Sequence, residues 1–285
     1  MLKLRLNQLT ERNMTIQNSL QWAERQLQGS CERPRFEAEL LLAYHLQKER
    51  TYLHAFDHQE VEQLEAFKTL IARRAEHEPY EYIVGEASFY DIELNVEHGV
   101  LIPRPETEIL IDLTAEIIEQ KQLTSIAEIG VGSGAISVVL ARKFPNLKIV
   151  ATDICDTPLK VAQQNLEKYE VKERVTLLKS SILDEVTQKV ELVVSNPPYI
   201  ANDFKLEENV VGYEPSTALF GGAVGDELLK EIVLEVQARG IPYLLCEMGY
   251  DQKEPMTNFF KEVKIKSYQF YKDLAGFDRG FVITF

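Results

Sequence analysis

The run Asn196-Pro197-Pro198-Tyr199, directly after the apolar stretch Val190-Glu191-Leu192-Val193-Val194-Ser195, joins residue types suited to gripping a flat, nitrogen-bearing group. Each proline fixes its own φ and biases the residue before it toward extended geometry, which keeps Asn196 out of a helix. Neither proline has an N–H, so carbonyls are the backbone groups left for hydrogen bonding. A primary amide or an exocyclic amine carries two N–H donors and needs two acceptors. The Asn196 side-chain oxygen and the Pro197 carbonyl can supply them, with Tyr199 stacking on the flat face. For four residues in isolation, a Pro-Pro loop leaving a core strand is the plainer reading. A second motif upstream changes the balance.

That motif is Ser125-Ile126-Ala127-Glu128-Ile129-Gly130-Val131-Gly132-Ser133-Gly134-Ala135-Ile136. A β-rich run passes into glycines and then into Ile136, Val139 and Leu140, spaced for one face of a helix. Glycines let the backbone turn sharply and approach a ligand, and the first turn of a helix offers unpaired N–H groups. Gly130-x-Gly132-x-x-Ala135 also satisfies the dinucleotide fingerprint, so the glycines alone indicate a nucleoside-containing cofactor without identifying it. A further strand, Lys148-Ile149-Val150-Ala151-Thr152, ends at Asp153, whose carboxylate can accept both hydroxyls of a ribose. Read alone, Asp153 equally suits the N-cap of a helix beginning near Thr157-Pro158.

From about Leu101 onward strands and helices alternate, which implies an α/β fold with parallel strands joined by right-handed crossovers. The pattern predicts strands near 125–130, 148–152, 174–178, 190–195 and 241–247. Two more, near 263–271 and 279–285, have no helix between them and should pair antiparallel. Gly130–Gly134, Asp153, Ser181 and Asn196 all follow strand ends, where open α/β sheets bind ligands. Ile200 to Gly225 reads as a long irregular binding loop. Residues 1–78 read as a small helical domain. Its apolar series are Ile16, Leu20, Ala23 and Leu27; Phe36, Leu40 and Ala43; and Val61, Leu64, Phe67, Leu70 and Ile71. Trp22, Tyr44 and Phe56 are expected in its core, and Arg73 and Arg74 on its solvated surface. Residues 79–100 read as a β-hairpin linker with alternating Tyr82, Val84, Phe89, Ile92, Leu94 and Val96. Residues 101–285 complete a catalytic domain.

Together the two motifs resemble those of the S-adenosylmethionine-dependent amino-group methyltransferases. Within these, the chain is similar to the PrmC/HemK family of peptide-chain release factor glutamine N5-methyltransferases. The likeness extends to Pro34-Arg35-Phe36-Glu37-Ala38-Glu39-Leu40-Leu41-Leu42, Leu101-Ile102-Pro103-Arg104-Pro105-Glu106-Thr107-Glu108, Tyr213-Glu214-Pro215, Ala218-Leu219-Phe220-Gly221-Gly222 and Asp273-Leu274-Ala275-Gly276-Phe277-Asp278-Arg279. Glu128 and Val131 stand where the family has Asp and Thr in Asp-x-Gly-Thr-Gly-Ser-Gly. Ser181 stands where an aspartate is usual, and Gly225-Asp226-Glu227-Leu228 where Asp-Gly-Leu is common.

The resemblance implies a seven-stranded, doubly wound methyltransferase sheet with a small N-terminal helical domain. It implies that Gly130, Val131, Gly132, Ser133, Gly134, Asp153, Ser181, Ile182 and Asn196 border S-adenosylmethionine. Asn196, Pro197, Pro198 and Tyr199 would hold the substrate, with Asn196, Pro197 and Tyr199 doing the catalytic positioning and no metal required. Arg104 and Glu106 would stand at the mouth of the site, or simply form ion pairs. Glu247, at a strand end, reads as structural. The implied substrate is the glutamine of the Gly-Gly-Gln motif of class I release factors. A ribosomal-protein glutamine and an adenine N6 or guanine N2 amine of nucleic acid are the alternatives. A catalytically silent cofactor-binding partner of the translation machinery is disfavoured by the intact Asn196-Pro197-Pro198-Tyr199.

Bulk properties bear on these choices. The 285 residues suffice for two cores, and 45% hydrophobic with 27% charged residues is an ordinary globular balance. Net charge is −14; the first 80 residues are nearly neutral, so the catalytic part is strongly acidic. A surface neutralising nucleic-acid phosphates would be basic, so a protein substrate fits better and nucleic acid is disfavoured. No apolar run approaches the ~18 residues of a membrane span. Met1-Leu2-Lys3-Leu4-Arg5-Leu6-Asn7 lacks a secretory core. Cys31, Cys155 and Cys246 are isolated, and the five histidines show no metal-ligand spacing. A cytoplasmic protein with reduced thiols is expected.

Overall fold

The computed structural model describes residues 14–206 and 208–285, and the expectation for Met1–Asn7 lies outside them. Two compact units emerge. One takes the chain up to Gly85 together with Glu207–Tyr213, and the other takes Glu86–Leu206 and Glu214–Phe285.

The first unit is built from helices α1 (Ile16–Gln26), α2 (Pro34–Leu46), α3 (Arg50–Ala55), α4 (Leu64–Ala75) and α5 (Tyr80–Val84), with α9 (Glu208–Val211) added from the later segment. Thr15 caps α1, its hydroxyl accepting from the Asn18 N–H at 3.3 Å. The core of the unit runs through Ile16, Leu20, Ala23, Leu27, Leu41, Leu42, Phe67 and Ile71. On α2 the buried face is Ala38, Leu41 and Leu42 rather than Phe36 and Leu40. Phe36 instead lies under the guanidinium groups of Arg33 and Arg50, at 4.1 and 4.4 Å from the ring centre. Tyr44 and Phe56 are exposed, and Trp22 is only partly buried beside Phe67. Of the basic pair, Arg74 is not solvated surface but buried, bonding Glu37 at 2.7 Å, while Arg73 stays partly exposed and bonds Glu78. A guanidinium with a carboxylate in reach can be buried where an unpaired one cannot. Tyr82 and Val84, expected in a hairpin, belong to α5; Pro79 at its N-cap and left-handed Gly85 at its C-cap bound a single helical segment.

The second unit opens with the hairpin β1 (Glu86–Phe89) and β2 (Ile92–Asn95). Beyond it come α6 (Thr107–Lys121), β3 (Ser125–Ile129), α7 (Ala135–Lys143), β4 (Lys148–Asp153), α8 (Asp156–Lys168) and β5 (Val175–Lys179). Then follow β6 (Leu192–Ser195), β7 (Ile200–Ala201), α10 (Ser216–Leu219), β8 (Phe220–Gly222), α11 (Glu227–Ala238), β9 (Tyr243–Glu247), α12 (Lys253–Phe260), β10 (Ser267–Lys272) and β11 (Asp278–Thr284). Seven of these strands form one sheet in the order β10-β11-β9-β6-β3-β4-β5. The five from β9 to β5 are parallel; β11 runs antiparallel to β10, as expected from the missing crossover helix, and also to β9.

Both faces of the sheet are covered, which explains why its strands read as continuous apolar runs. Ile126, Ile149, Leu192, Val194 and Leu245 point to a core shared with α6, α7 and α8. Ala127, Val150, Val193, Leu244 and Cys246 point to the opposite core under α11 and α12. The described residues of the 200–225 stretch include two short strands and two short helices where an irregular loop is expected. Its β7 and β8 pair in parallel as a separate two-stranded sheet. No described helix is long and apolar enough to cross a membrane.

Candidate active site

Strand order reverses at β3, which has β4 on one side and β6 on the other. Ile129 and Ser195 are register partners there, so the chain leaves both strands side by side. The Ser195 hydroxyl donates to the Ile129 carbonyl at 2.8 Å and joins the two exits. After β3 the backbone turns through Gly130, Gly132 and Gly134 with φ of 75°, 54° and 83°, a region that favours glycine. The N–H groups of Gly130 and Val131 both donate to the Thr152 carbonyl at 2.9 Å. Asp153 braces the same loop: Oδ2 accepts from the Gly132 N–H at 3.2 Å, and Oδ1 from the Cys155 N–H at 3.0 Å. It is therefore not the N-cap of α8, a place taken by Cys155. Burial raises the Asp153 pKa, and these N–H bonds work against the rise.

A cavity of about 360 Å³ opens beyond these strand ends, with Gly130, Gly132, Asp153, Ser181, Ile182, Asn196, Pro197 and Pro198 on its walls. Leu101, Ile154, Pro158, Phe220 and Leu228 add an apolar lining. A smaller space of about 50 Å³ is bordered by Arg104, Thr107, Glu128, Val131, Ser133 and again Asn196. Asn196 thus stands where the two meet. Among the described residues, no donor is directed at the Pro197 carbonyl.

Two expected site residues border neither cavity. Gly134 is the left-handed N-cap of α7, and a β carbon there would lie 3.3 Å from Ala162, so the glycine lets α7 start close against α8. Tyr199 packs its ring on the core under α11 and α12, and its hydroxyl donates to Glu247 Oε1 at 3.0 Å. Burial, then the adjacent Glu247 carboxylate, push its phenol far above the ordinary range. An anchoring contact replaces the expected stacking, because it buries the ring and satisfies the hydroxyl at once.

Several residues of the site are inconspicuous in the sequence. The Thr107 hydroxyl donates to Glu247 Oε2 at 2.8 Å and accepts from Asn196 Nδ2 at 2.9 Å. Burial pushes the Glu247 carboxyl up to about 7, against the opposing effect of the Thr107 and Tyr199 hydroxyls. Asn165, fully buried on α8, donates to the Ser133 carbonyl at 2.8 Å and accepts from the Asn95 N–H at 2.8 Å, holding the glycine loop from behind. Glu214 takes Arg104 at 2.5 Å and the Ile102 N–H at 3.3 Å, so Arg104 is ion-paired as well as bordering the smaller cavity. A lone threonine, asparagine or carboxylate carries no spacing signal; only the fold gives these residues their partners.

Glu128 offers a pH test of the site. Burial pushes its carboxyl from 4.5 up to about 8, partly opposed by the Ser137 hydroxyl that donates to it. Between those values the folded chain retains a proton that the unfolded chain has released, so stability falls as pH rises through the window. Urea unfolding at pH ~5 and ~8 should show a steeper loss for the wild type than for Glu128→Gln. Equal losses would remove Glu128 from the account.

Residues 18–85 match the PrmC N-terminal domain and residues 107–212 the methyltransferase small domain. Over 256 residues the chain is 38% identical to the release factor glutamine methyltransferase of Dictyoglomus turgidum, covering 85% of this chain and 88% of that one. The chain belongs to the release factor glutamine methyltransferase family. The Koribacter versatilis member is 34% identical, over 93% of this chain and 97% of that one. Members are S-adenosylmethionine-dependent methyltransferases, and the sheet order accords with this. The catalytic domain of hMettl16 in complex with the MAT2A 3'UTR hairpin 6 shares the fold, with a TM-score of 0.55 at 16% identity over 67% of this chain and 73% of that one. The N-terminal domain of human METTL16 in complex with SAH gives 0.51 at 15% identity over 67% and 75%. At such identities the likeness concerns the fold alone.

Proposed function

We propose that this family member methylates N5 of the glutamine in the Gly-Gly-Gln motif of class I peptide-chain release factors. The observation that carries the reading is Asn196, which borders both the cofactor-sized cavity and the smaller space beside it. The larger cavity suits S-adenosylmethionine: an apolar wall for a flat base, the Asp153 carboxylate for ribose hydroxyls, and a close glycine backbone. Glu128 lies at the smaller space but is buried and held protonated, so it would serve the cationic end of the amino-acid tail only by giving up its proton on binding. Bound there, S-adenosylmethionine supplies a methyl group on a sulfonium and leaves as the neutral thioether.

The lone pair of a glutamine amide is delocalised into its carbonyl, so the nitrogen is a poor nucleophile and placement matters most. In this reading Asn196 Oδ1 and the Pro197 carbonyl accept its two protons and turn the nitrogen toward the methyl group. Pro198 shapes the wall beside it, and Tyr199 anchors the segment through Glu247. Orientation of this kind is worth up to ~7–11 kcal/mol of barrier. The nitrogen becomes strongly acidic once methylated and loses a proton to water, so no strong base is required. The helical unit is assigned to recognition of the factor's body.

The test is methyl transfer from radiolabelled S-adenosylmethionine, offered a release factor, the same factor with its motif glutamine replaced, a ribosomal protein and unmethylated DNA. Label is expected only in the intact factor. Label confined to DNA or to the ribosomal protein would overturn the substrate assignment.

A further inference from the structure

We infer that Glu247, acting through the Thr107 hydroxyl, sets which way round the Asn196 amide faces and so keeps its oxygen toward the substrate. The inference rests on the reading above and adds two positioning residues to it.

The polarity of the chain of bonds is the basis. Glu247 is buried at the end of β9, and its two carboxylate oxygens receive separate donors, Thr107 on Oε2 and Tyr199 on Oε1. Two hydroxyl donors converging on one carboxyl is the arrangement an ionised carboxylate takes. Burial pushes this carboxyl up to about 7 against the two hydroxyls and the Arg279 guanidinium, so the polarity that follows is that of the ionised form. A threonine hydroxyl has a single hydrogen, and here it is spent on Glu247. Only lone pairs remain for Asn196, 2.9 Å away, so the amide must present Nδ2 to Thr107. The reverse orientation would set Oδ1 against the hydroxyl oxygen, an acceptor against an acceptor. Asn196 Oδ1 is therefore directed away from Thr107, on a residue that borders both cavities.

An asparagine free to flip would offer donors to a substrate amide that is itself all donor on that face. Thr107→Val removes the acceptor at nearly constant shape. Glu247→Gln turns one of the two acceptor oxygens into NH2; with that group facing Thr107, the threonine hydrogen turns toward Asn196 and reverses the amide. Neither residue borders the larger cavity, and Thr107 meets the smaller one with its hydroxyl already engaged by Glu247 and Asn196, so the main cofactor contacts should be spared.

The experiment compares wild type, Thr107→Val, Thr107→Ser and Glu247→Gln with release factor as methyl acceptor. Calorimetry with S-adenosylhomocysteine serves as the check on folding. Thr107→Val and Glu247→Gln are expected to lose about 100-fold in kcat with cofactor affinity within about threefold, and Thr107→Ser to restore most of the rate. Exchange of the Asn196 side-chain amide protons, followed by NMR, should be slowed in wild type and Thr107→Ser and fast in Thr107→Val. Thr107→Val turning over like wild type, or Thr107→Ser failing as badly as Thr107→Val, overturns the inference while leaving the substrate assignment standing. No turnover by wild type on the factor overturns both.

Discussion

Asn196→Ala is expected to lose ~10³-fold or more in kcat while binding S-adenosylmethionine within several-fold of wild type. The asparagine supplies the one side-chain acceptor proposed to polarise the substrate amide, and alanine supplies none. Its loss also leaves the Thr107 hydroxyl without its incoming donor, which disturbs the contact at 2.9 Å that orders this corner of the site. The cofactor cavity keeps its glycine loop, Asp153 and apolar wall, so most binding contacts survive. Single-turnover methylation and calorimetry separate the two quantities. Loss of cofactor binding in parallel with turnover would place Asn196 in the cofactor site instead of at the reacting amide.

Gly221→Ala should be nearly as damaging, although Gly221 carries no chemistry. An added β carbon would lie 2.6 Å from the Gly225 carbonyl and closer still to the Pro198 carbonyl. All of these neighbours are backbone, so relief requires the Pro198 segment to move. A displacement of ~1 Å in a positioning group costs ~10²-fold in rate. The overpacking itself should cost ~1–3 kcal/mol of stability. A folded variant with reduced kcat and a lowered urea midpoint is the expected result. Unchanged kinetics would show that the prolines tolerate displacement and that Asn196 alone carries the placement. The β7–β8 pairing is then explained as a clamp, because it brings Gly221 and Gly225 against the carbonyls of Pro198 and Tyr199.

The strands were legible because burial on both faces demands uninterrupted apolar runs, as in Leu192–Ser195 and Tyr243–Glu247. Proline and glycine punctuation then marked where those runs end. Strand ends of an α/β sheet converge on one crevice, so their positions after strands already group Gly130, Asp153 and Asn196, and all three line one cavity. Local rules failed where a residue's partner lies far along the chain. The apolar face of α2 was misjudged because cationic stacking on Phe36 competes with burial. Arg74 looked like surface until Glu37, brought close by folding, made its burial possible.

The amino-acid order by itself determined the layered α/β scaffold and the extended exit of Asn196-Pro197-Pro198-Tyr199 from a strand end, since periodicity and proline geometry act over a few residues. Only the tertiary structure decided which partners those side chains meet. Thr107 reaches Asn196 across 89 positions and Glu247 across 140. Hydrogen-bond polarity is a property of partners in space, and a one-dimensional pattern does not record it.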